Sequence, residues 1–270
     1  MRTVTTPRLT APAIGFGTWE LEDVHDNVRH ALDVGYRHVD TAQIYRNEDE
    51  VGRAIEDSGL RDEVFLTTKV WYQKAAAQDV VRSTEESLER LRTDHVDLLL
   101  LHWPADDVAP LDETLEAMTG LQERGLTRHV GVSNFPSDEL RRALEIAPIA
   151  TDQVEHHPYL AIDAIRDVAH AHELAITAYS PIARGEVLSD PTITEIAQEH
   201  DATPAQVALA FLLAQTDTLV LPKSSTPSRI TENLGALDLE LSADELERIG
   251  GLARGSRQVD PPFAPEWDAA

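Results

Sequence analysis

The sequence predicts an α/β fold, a (β/α)8 TIM barrel with an N-terminal β-hairpin and extra helices, formed as one domain over residues 1–270. Three features predict it. Short β-prone runs alternate with amphipathic segments without a lapse, every such run but the first closes on a polar residue, and no convincing glycine turn exists for the rival, a doubly wound open sheet. No linker or low-complexity stretch interrupts the pattern.

The elements follow in order. Residues 4–17 hold two short apolar pieces around Pro12, read as a hairpin leading into a first strand at 14–16. Gly15-Phe16-Gly17-Thr18-Trp19-Glu20 imitates the start of a dinucleotide fingerprint, but the third glycine is missing and no helix opens within it. A helix at 23–34 stops at Gly35, a C-terminal signal. Strand 38–42, helix 48–58 ending at Gly59, strand 64–70, helix 78–91, strand 96–101 and helix 111–124 complete the first half. The second half repeats the scheme with strand 129–134, helix 137–146, strand 151–155, helix 162–172 and strand 175–180. Two successive helices at 192–200 and 204–215 precede strand 219–221, and helices at 228–234 and 243–250 follow.

Eight such units place an active site at the carboxyl ends of the strands. His38-Val39-Asp40-Thr41-Ala42-Gln43-Ile44-Tyr45 puts an acid and a phenol five residues apart at one rim. Val64-Phe65-Leu66-Thr67-Thr68-Lys69-Val70-Trp71 carries a lysine that would be costly to bury without an acid such as Asp40 beside it. The run Asp97-Leu98-Leu99-Leu100-Leu101-His102-Trp103-Pro104 closes on a histidine and is stopped by proline. The same logic adds Trp19, Ser133, Asn134, Gln153, Tyr179 and Lys223 to the rim.

Charge narrows the function. With 48 acidic against 23 basic residues, the net charge of −25 repels nucleic acid and anionic membrane. No apolar run is long enough to span a bilayer, no signal segment opens the chain and cysteine is absent, so a cytoplasmic protein without thiol chemistry is expected. Only Lys69, Lys74 and Lys223 are lysines; the other basic residues are arginine. An acidic, lysine-poor surface self-repels in dilute buffer and is screened at high salt, where the Debye length is about 3 Å at 1 M; a halophilic setting is expected. Lys69 and Lys223 are read as functional and Lys74 as solvent-exposed.

Taken together, Asp40-Thr41-Ala42 with Tyr45, Lys69, Leu101-His102-Trp103-Pro104, Gly131-Val132-Ser133-Asn134-Phe135, Gln153-Val154-Glu155-His156-His157-Pro158-Tyr159 and Pro222-Lys223-Ser224 resemble the aldo-keto reductase family, motif by motif in the family's order. The tail at 259–268 is similar to that of the bacterial diketogluconate-reductase-like branch. The resemblance implies NADPH (NADP+) bound without a Rossmann domain, aldehyde or ketone reduction, and Asp40, Tyr45, Lys69 and His102 as the catalytic four. It implies further that Ser133, Asn134 and Gln153 hold the nicotinamide carboxamide, that Tyr179, next to Ser180, stacks on the ring, that Lys223, Ser224 and Arg229 grip the 2′-phosphate, and that Glu232 and Asn233 lie near the adenine. Asp152 departs from the usual asparagine or proline, and His156 departs as well. The partner implied is a small carbonyl compound or keto-sugar, with the protein acting as a monomer.

The residues themselves suit that chemistry. Tyrosine is a poor acid near neutrality, with an ordinary pKa of about 10, and a nearby ammonium favours its phenolate; Lys69 is expected to lower Tyr45 in this way. His102 is expected to be a neutral donor to the carbonyl oxygen, with Trp19, Trp71 and Trp103 as an apolar wall. Two other functions compete. Glu155, His156 and His157 with His102 and Asp40 could build a metal-dependent hydrolase, but neighbouring strand residues point to opposite faces, and no metal is expected. An NADPH-binding redox-sensing or regulatory protein would keep the cofactor residues without fast turnover. Singly, Asp40 with Lys69 could be a structural ion pair and His102 a core histidine; the joint, ordered spacing favours a site.

Overall fold

Antiparallel pairing of β1 (Thr3–Thr6) with β2 (Leu9–Pro12) forms the expected hairpin in a computed structural model that describes residues 2–269. The strands that follow are all parallel. They are β3 (Phe16–Gly17), β4 (His38–Asp40), β5 (Phe65–Val70), β6 (Val96–Leu101), β7 (Thr127–Ser133), β8 (Thr151–Glu155), β9 (Ala175–Tyr179) and β10 (Thr218–Leu221), each bonded to the next in chain order. A parallel bridge from Ile14 to Val220 brings the last strand back to the first. There Gly15 N donates to Val220 O at 2.8 Å, Val220 N to Ala13 O at 2.9 Å and Gly17 N to Pro222 O at 3.1 Å, which closes the ring.

Parallel strands covered on both sides need continuous apolar runs, and β6, Val-Asp-Leu-Leu-Leu-Leu, is buried at every position. Close packing also dictates Gly131 in β7, where a Cβ would lie 2.7 Å from Leu100 Cδ2 and 2.8 Å from the Thr151 carbonyl. Outside the ring run α1 (Val24–Val34), α2 (Glu48–Ser58), α3 (Ala77–Leu91), α4 (Leu111–Glu123), α5 (Ser137–Ile146) and α6 (Asp163–His172). They are followed by α7 (Pro191–Glu199), α8 (Pro204–Leu213), α9 (Pro227–Leu234) and α10 (Ala243–Gly250). Gly35 ends α1 with φ of 118°, a conformation that favours glycine, and its N–H donates to the Leu32 carbonyl at 3.2 Å. The core lies between the ring and these helices, and the hairpin reaches the amino-terminal end of the ring, where Arg8 Nη1 donates to the Ile149 carbonyl at 3.0 Å.

Two outcomes concern charge. Lys74, expected in solvent, is half-buried on a short 3₁₀ turn between β5 and α3, which packs against α3. Surface arginines instead meet the acidic excess, as in Arg92 with Glu56 at 2.7 Å and Arg142 with Glu139 at 2.8 Å. Among the described residues no helix is long and apolar enough to cross a membrane.

Candidate active site

Register delivers the first two groups. Asp40 ends β4 opposite Thr67, and Lys69 lies two residues farther along β5, so both enter the carboxyl rim of the ring. Lys69 is fully buried. Its ammonium donates to Asp40 Oδ1, to the Thr41 carbonyl at 2.9 Å and to the Tyr45 hydroxyl at 3.3 Å. Gln153 Nε2 donates to the other Asp40 oxygen at 2.7 Å, so the carboxylate is fully engaged.

Tyr45 sits on a 3₁₀ turn, Gln43–Tyr45, that its neighbours bolt down. Gln43 Oε1 accepts from Trp71 N at 3.2 Å and Gln43 Nε2 donates to the Ser83 carbonyl at 3.1 Å. Thr41 donates to Asn47 Oδ1 at 3.0 Å, and Asn47 Nδ2 to the Thr18 carbonyl at 2.8 Å. The phenol is therefore placed by the fold and not by its own flexibility.

The electrostatics correct one expectation. Burial, reinforced by the negative charge of Asp40, holds the Tyr45 phenol well above its ordinary value, where proximity to Lys69 alone was expected to lower it. Removing a phenolate from water costs more than one ammonium already committed to Asp40 returns. Burial likewise lowers Lys69, with Asp40 and then Glu48 opposing. His102 is held well below the ordinary imidazole range by burial and then by Lys69, so it is neutral, as expected. Its ring lies edge-on between Tyr45 and Trp71, with centroids 5.7 Å and 5.5 Å away, and Asn134 Nδ2 fixes its carbonyl at 3.0 Å.

These groups floor a cavity of about 630 Å³. Of the residues singled out in the sequence, Trp19, Asp40, Tyr45, Trp71, His102, Trp103, Ser133, Asn134, Gln153, Tyr179, Ser180, Lys223 and Arg229 line it, with Lys69 directly behind. Ser133 donates to the Gln153 carbonyl at 2.8 Å, and the Tyr179 hydroxyl to Asn134 Oδ1 at 2.7 Å. Three residues are not brought to the lining. Ser224 accepts from Thr226 N at 3.0 Å and shapes a turn, Glu232 accepts from Thr203 Oγ1 at 2.9 Å, and Asn233 is buried on α9.

The metal-site alternative disperses. His157 faces Glu155 Oε1 at 2.9 Å, whereas His156 uses Nδ1 toward the Leu160 carbonyl at 2.9 Å and meets Arg166 Nη2 at 3.0 Å. Among the described residues no group of three or more such side chains converges. Asp152 points away from Gln153 by strand alternation; its carboxyl is fully buried without a partner, and burial holds it well above the ordinary carboxylate range.

Several lining residues escaped the sequence reading: Ile44, Arg184, Leu188, Val259 and Phe263. Arg184 lies over the Trp19 ring at 5.0 Å. Phe263 shares a proline-rich tail with Trp267, and no local pattern in the sequence marks it for the cavity. It stacks on Tyr72 at 4.6 Å and meets the edges of Trp71 and Trp103 at 5.5 Å and 5.4 Å.

Residues 13–254 match the model of the Aldo/keto reductase family. The chain belongs to that family. This aldo/keto reductase is 42% identical over 268 residues to methylglyoxal reductase DkgB from Salmonella typhi, covering 96% of this chain and all of that one. It is 39% identical over 262 residues to an aldo-keto reductase from Mycolicibacterium smegmatis, covering 93% of this chain and 95% of that one. A solved structure described provisionally as a 2,5-diketo-D-gluconic acid reductase B superposes with a TM-score of 0.92 at 46% identity, covering 96% of this chain and 94% of that one. The aldose reductase of Schistosoma japonicum does so with 0.90 at 33%, over the same shares of the two chains.

Proposed function

We propose that this aldo/keto reductase converts small aldehydes and ketones, keto-sugars among them, to alcohols with NADPH, and that Tyr45 is its general acid. One observation carries the reading: a protonated phenol lies 3.3 Å from the ammonium of a buried Lys69–Asp40 pair, on the floor of a cavity with an aromatic wall. The names of the similar reductases support the carbonyl class.

The residues present fit the cofactor. Among the described residues neither Lys223 nor Arg229 has a hydrogen-bond or ion-pair partner for its side chain, in a chain with 48 acidic residues, and both face the cavity. A guanidinium and an ammonium left free in this way suit a phosphate, which favours NADPH over NADH. Ser133, Asn134 and Gln153 would hold the carboxamide, with Tyr179 against the ring.

Bound NADPH would supply the hydride. As charge builds on the carbonyl oxygen, Tyr45 gives up its proton to it. Lys69 stabilises the phenolate left behind, and Asp40, held by Gln153, keeps Lys69 charged and aimed. His102 Nδ1 is buried without a partner, so the tautomer with its proton on Nε2 avoids burying an unpaired N–H and turns a donor outward. Such a donor aimed at an oxyanion contributes about 3 kcal/mol.

The test is NADPH consumption in molar potassium chloride over a panel of aldehydes, ketones and keto-sugars, with NADH and dilute buffer run in parallel. NADPH-preferring turnover that falls in dilute buffer supports the reductase and the salt-adapted surface. Tight NADPH binding with no turnover on any carbonyl supports the redox-sensing reading instead. Arg229→Ala is expected to weaken NADPH by about 2 kcal/mol, the scale of a charged hydrogen bond, and NADH far less; equal loss for both, measured by fluorescence titration, would remove the phosphate assignment.

A further inference from the structure

Glu155 closes β8 two residues beyond Gln153, yet takes no part in the acid–base floor. Its carboxylate is fully buried and is satisfied largely by the C-terminal segment. Oε1 accepts Gln258 N–H at 2.7 Å and His157 Nε2–H at 2.9 Å, and Oε2 accepts Val259 N–H at 2.8 Å. Tyr159 N donates to His157 Nδ1 at 3.3 Å, which assigns the imidazole proton to Nε2 and aims it at Glu155. Arg257, stacked on Trp267 at 3.6 Å, stands beside the same carboxylate: burial lowers its guanidinium and Glu155 is the first charge to oppose that.

The same segment has two lesser holds. The Tyr159 carbonyl accepts Arg254 N–H at 3.1 Å and Ser256 N–H at 3.0 Å, and Asp268 accepts from Ser137 N at 2.9 Å and Ser137 Oγ at 2.7 Å. Between them Val259 and Phe263 enter the cavity wall, Phe263 against Tyr72, Trp71 and Trp103. If the segment lifted, the buried carboxylate at the rim would lose two of its three hydrogen bonds, so the segment stays down.

We infer that Glu155 is a positioning residue for the carbonyl substrate, acting through Val259 and Phe263 to fix the wall against which the substrate is held over Tyr45. The inference rests on the reductase reading above. It assigns Glu155 no contact with cofactor and no share in the proton transfer.

Steady-state kinetics of Glu155→Gln, Phe263→Ala and the double variant test it, alongside NADPH titration. Glutamine has one acceptor oxygen, so one of the Gln258 and Val259 N–H groups loses its partner. KM for a small aldehyde is expected to rise about tenfold, the scale of one lost pocket contact, with kcat within about threefold and NADPH affinity within about twofold of wild type. The double variant is expected to be no worse than Glu155→Gln alone. A fall in kcat or NADPH affinity with KM unchanged, or full additivity of the two substitutions, overturns the inference. If Glu155→Gln does not fold, hydrogen exchange of the wild type decides: Gln258 and Val259 amides as protected as barrel amides support the pin, and exchange at exposed-loop rates overturns it. A wild type that reduces no carbonyl defeats the reductase reading alone, while the exchange measurement still reports on the pin.

Discussion

Asp40 and Asp97 are equally buried, each 3% exposed, and each is paired with a cation at one end of the same barrel. Asp97, at the amino-terminal end, accepts Leu66 N–H at 2.9 Å and meets Arg61 at 3.5 Å and Arg128 at 3.0 Å, both arginines reaching in from the surface. It ties β5, β6 and β7 together and does not line the active-site cavity. Asp40, at the carboxyl end, meets a lysine and a glutamine that are themselves wholly buried, and a phenol lies beyond the lysine. Burial and ion pairing alone therefore do not mark a site. A proton-bearing phenol as the third group, beside a cation that is itself wholly buried, and space for a ligand make the difference.

Substitutions at the two ends separate their roles. Tyr45→Phe removes only the third group; it is expected to lower carbonyl reduction by about 10²–10⁴-fold while NADPH binding stays within about twofold. Turnover retained above a hundredth of wild type would make the upper pair as structural as the lower one. Lys69→Met leaves Asp40 charged and dry, and urea unfolding should show a loss of about 3–5 kcal/mol together with lost turnover. Asp97→Ala strands the Leu66 N–H but leaves half-solvated arginines, so about 1–3 kcal/mol is expected with kcat within about twofold. A larger fall in kcat would mean that the lower end also serves the chemistry.

The last effect is read in pH. His38 lies between the two aspartates, its Nε2 at 3.0 Å from Thr67 Oγ1, and burial pushes it down to about 4 while both carboxylates oppose. The unfolded chain takes up a proton at this residue below about 6.5, and the folded protein does not until about 4. Acid therefore favours unfolding: no penalty is felt above about 6.5, and stability falls through that window by up to about 1.4 kcal/mol per pH unit for this one proton. His38→Gln should flatten the decline in urea midpoint between pH 6.5 and 4.5 by about that slope; an unchanged slope would detach His38 from it.

Strand ends and the groups on them were legible because alternation, apolar run length and a terminal polar residue are local properties; the expected strands at 96–101 and 151–155 match β6 and β8 in extent. The direction of the Tyr45 shift was not legible, since it depends on how much water the folded rim excludes. Nor was the position of Phe263, whose approach to Trp71 depends on backbone N–H groups at 258 and 259 meeting a carboxylate about a hundred residues earlier. Ser224, Glu232 and Asn233 missed the cavity lining because a motif fixes order along the chain, whereas the turn at 224–226 and the roll of α9 fix direction.

The seam between Ile14 and Val220 has a consequence for biosynthesis. Its two halves are about two hundred residues apart, so at ribosomal rates of about 5–20 residues per second the first strand waits roughly 10–40 s for its partner. During that interval the nascent ring has an unpaired strand edge, the kind of template on which chains aggregate. The surplus of carboxylates makes neighbouring unfinished chains repel one another during that interval, less so as salt screens the charge.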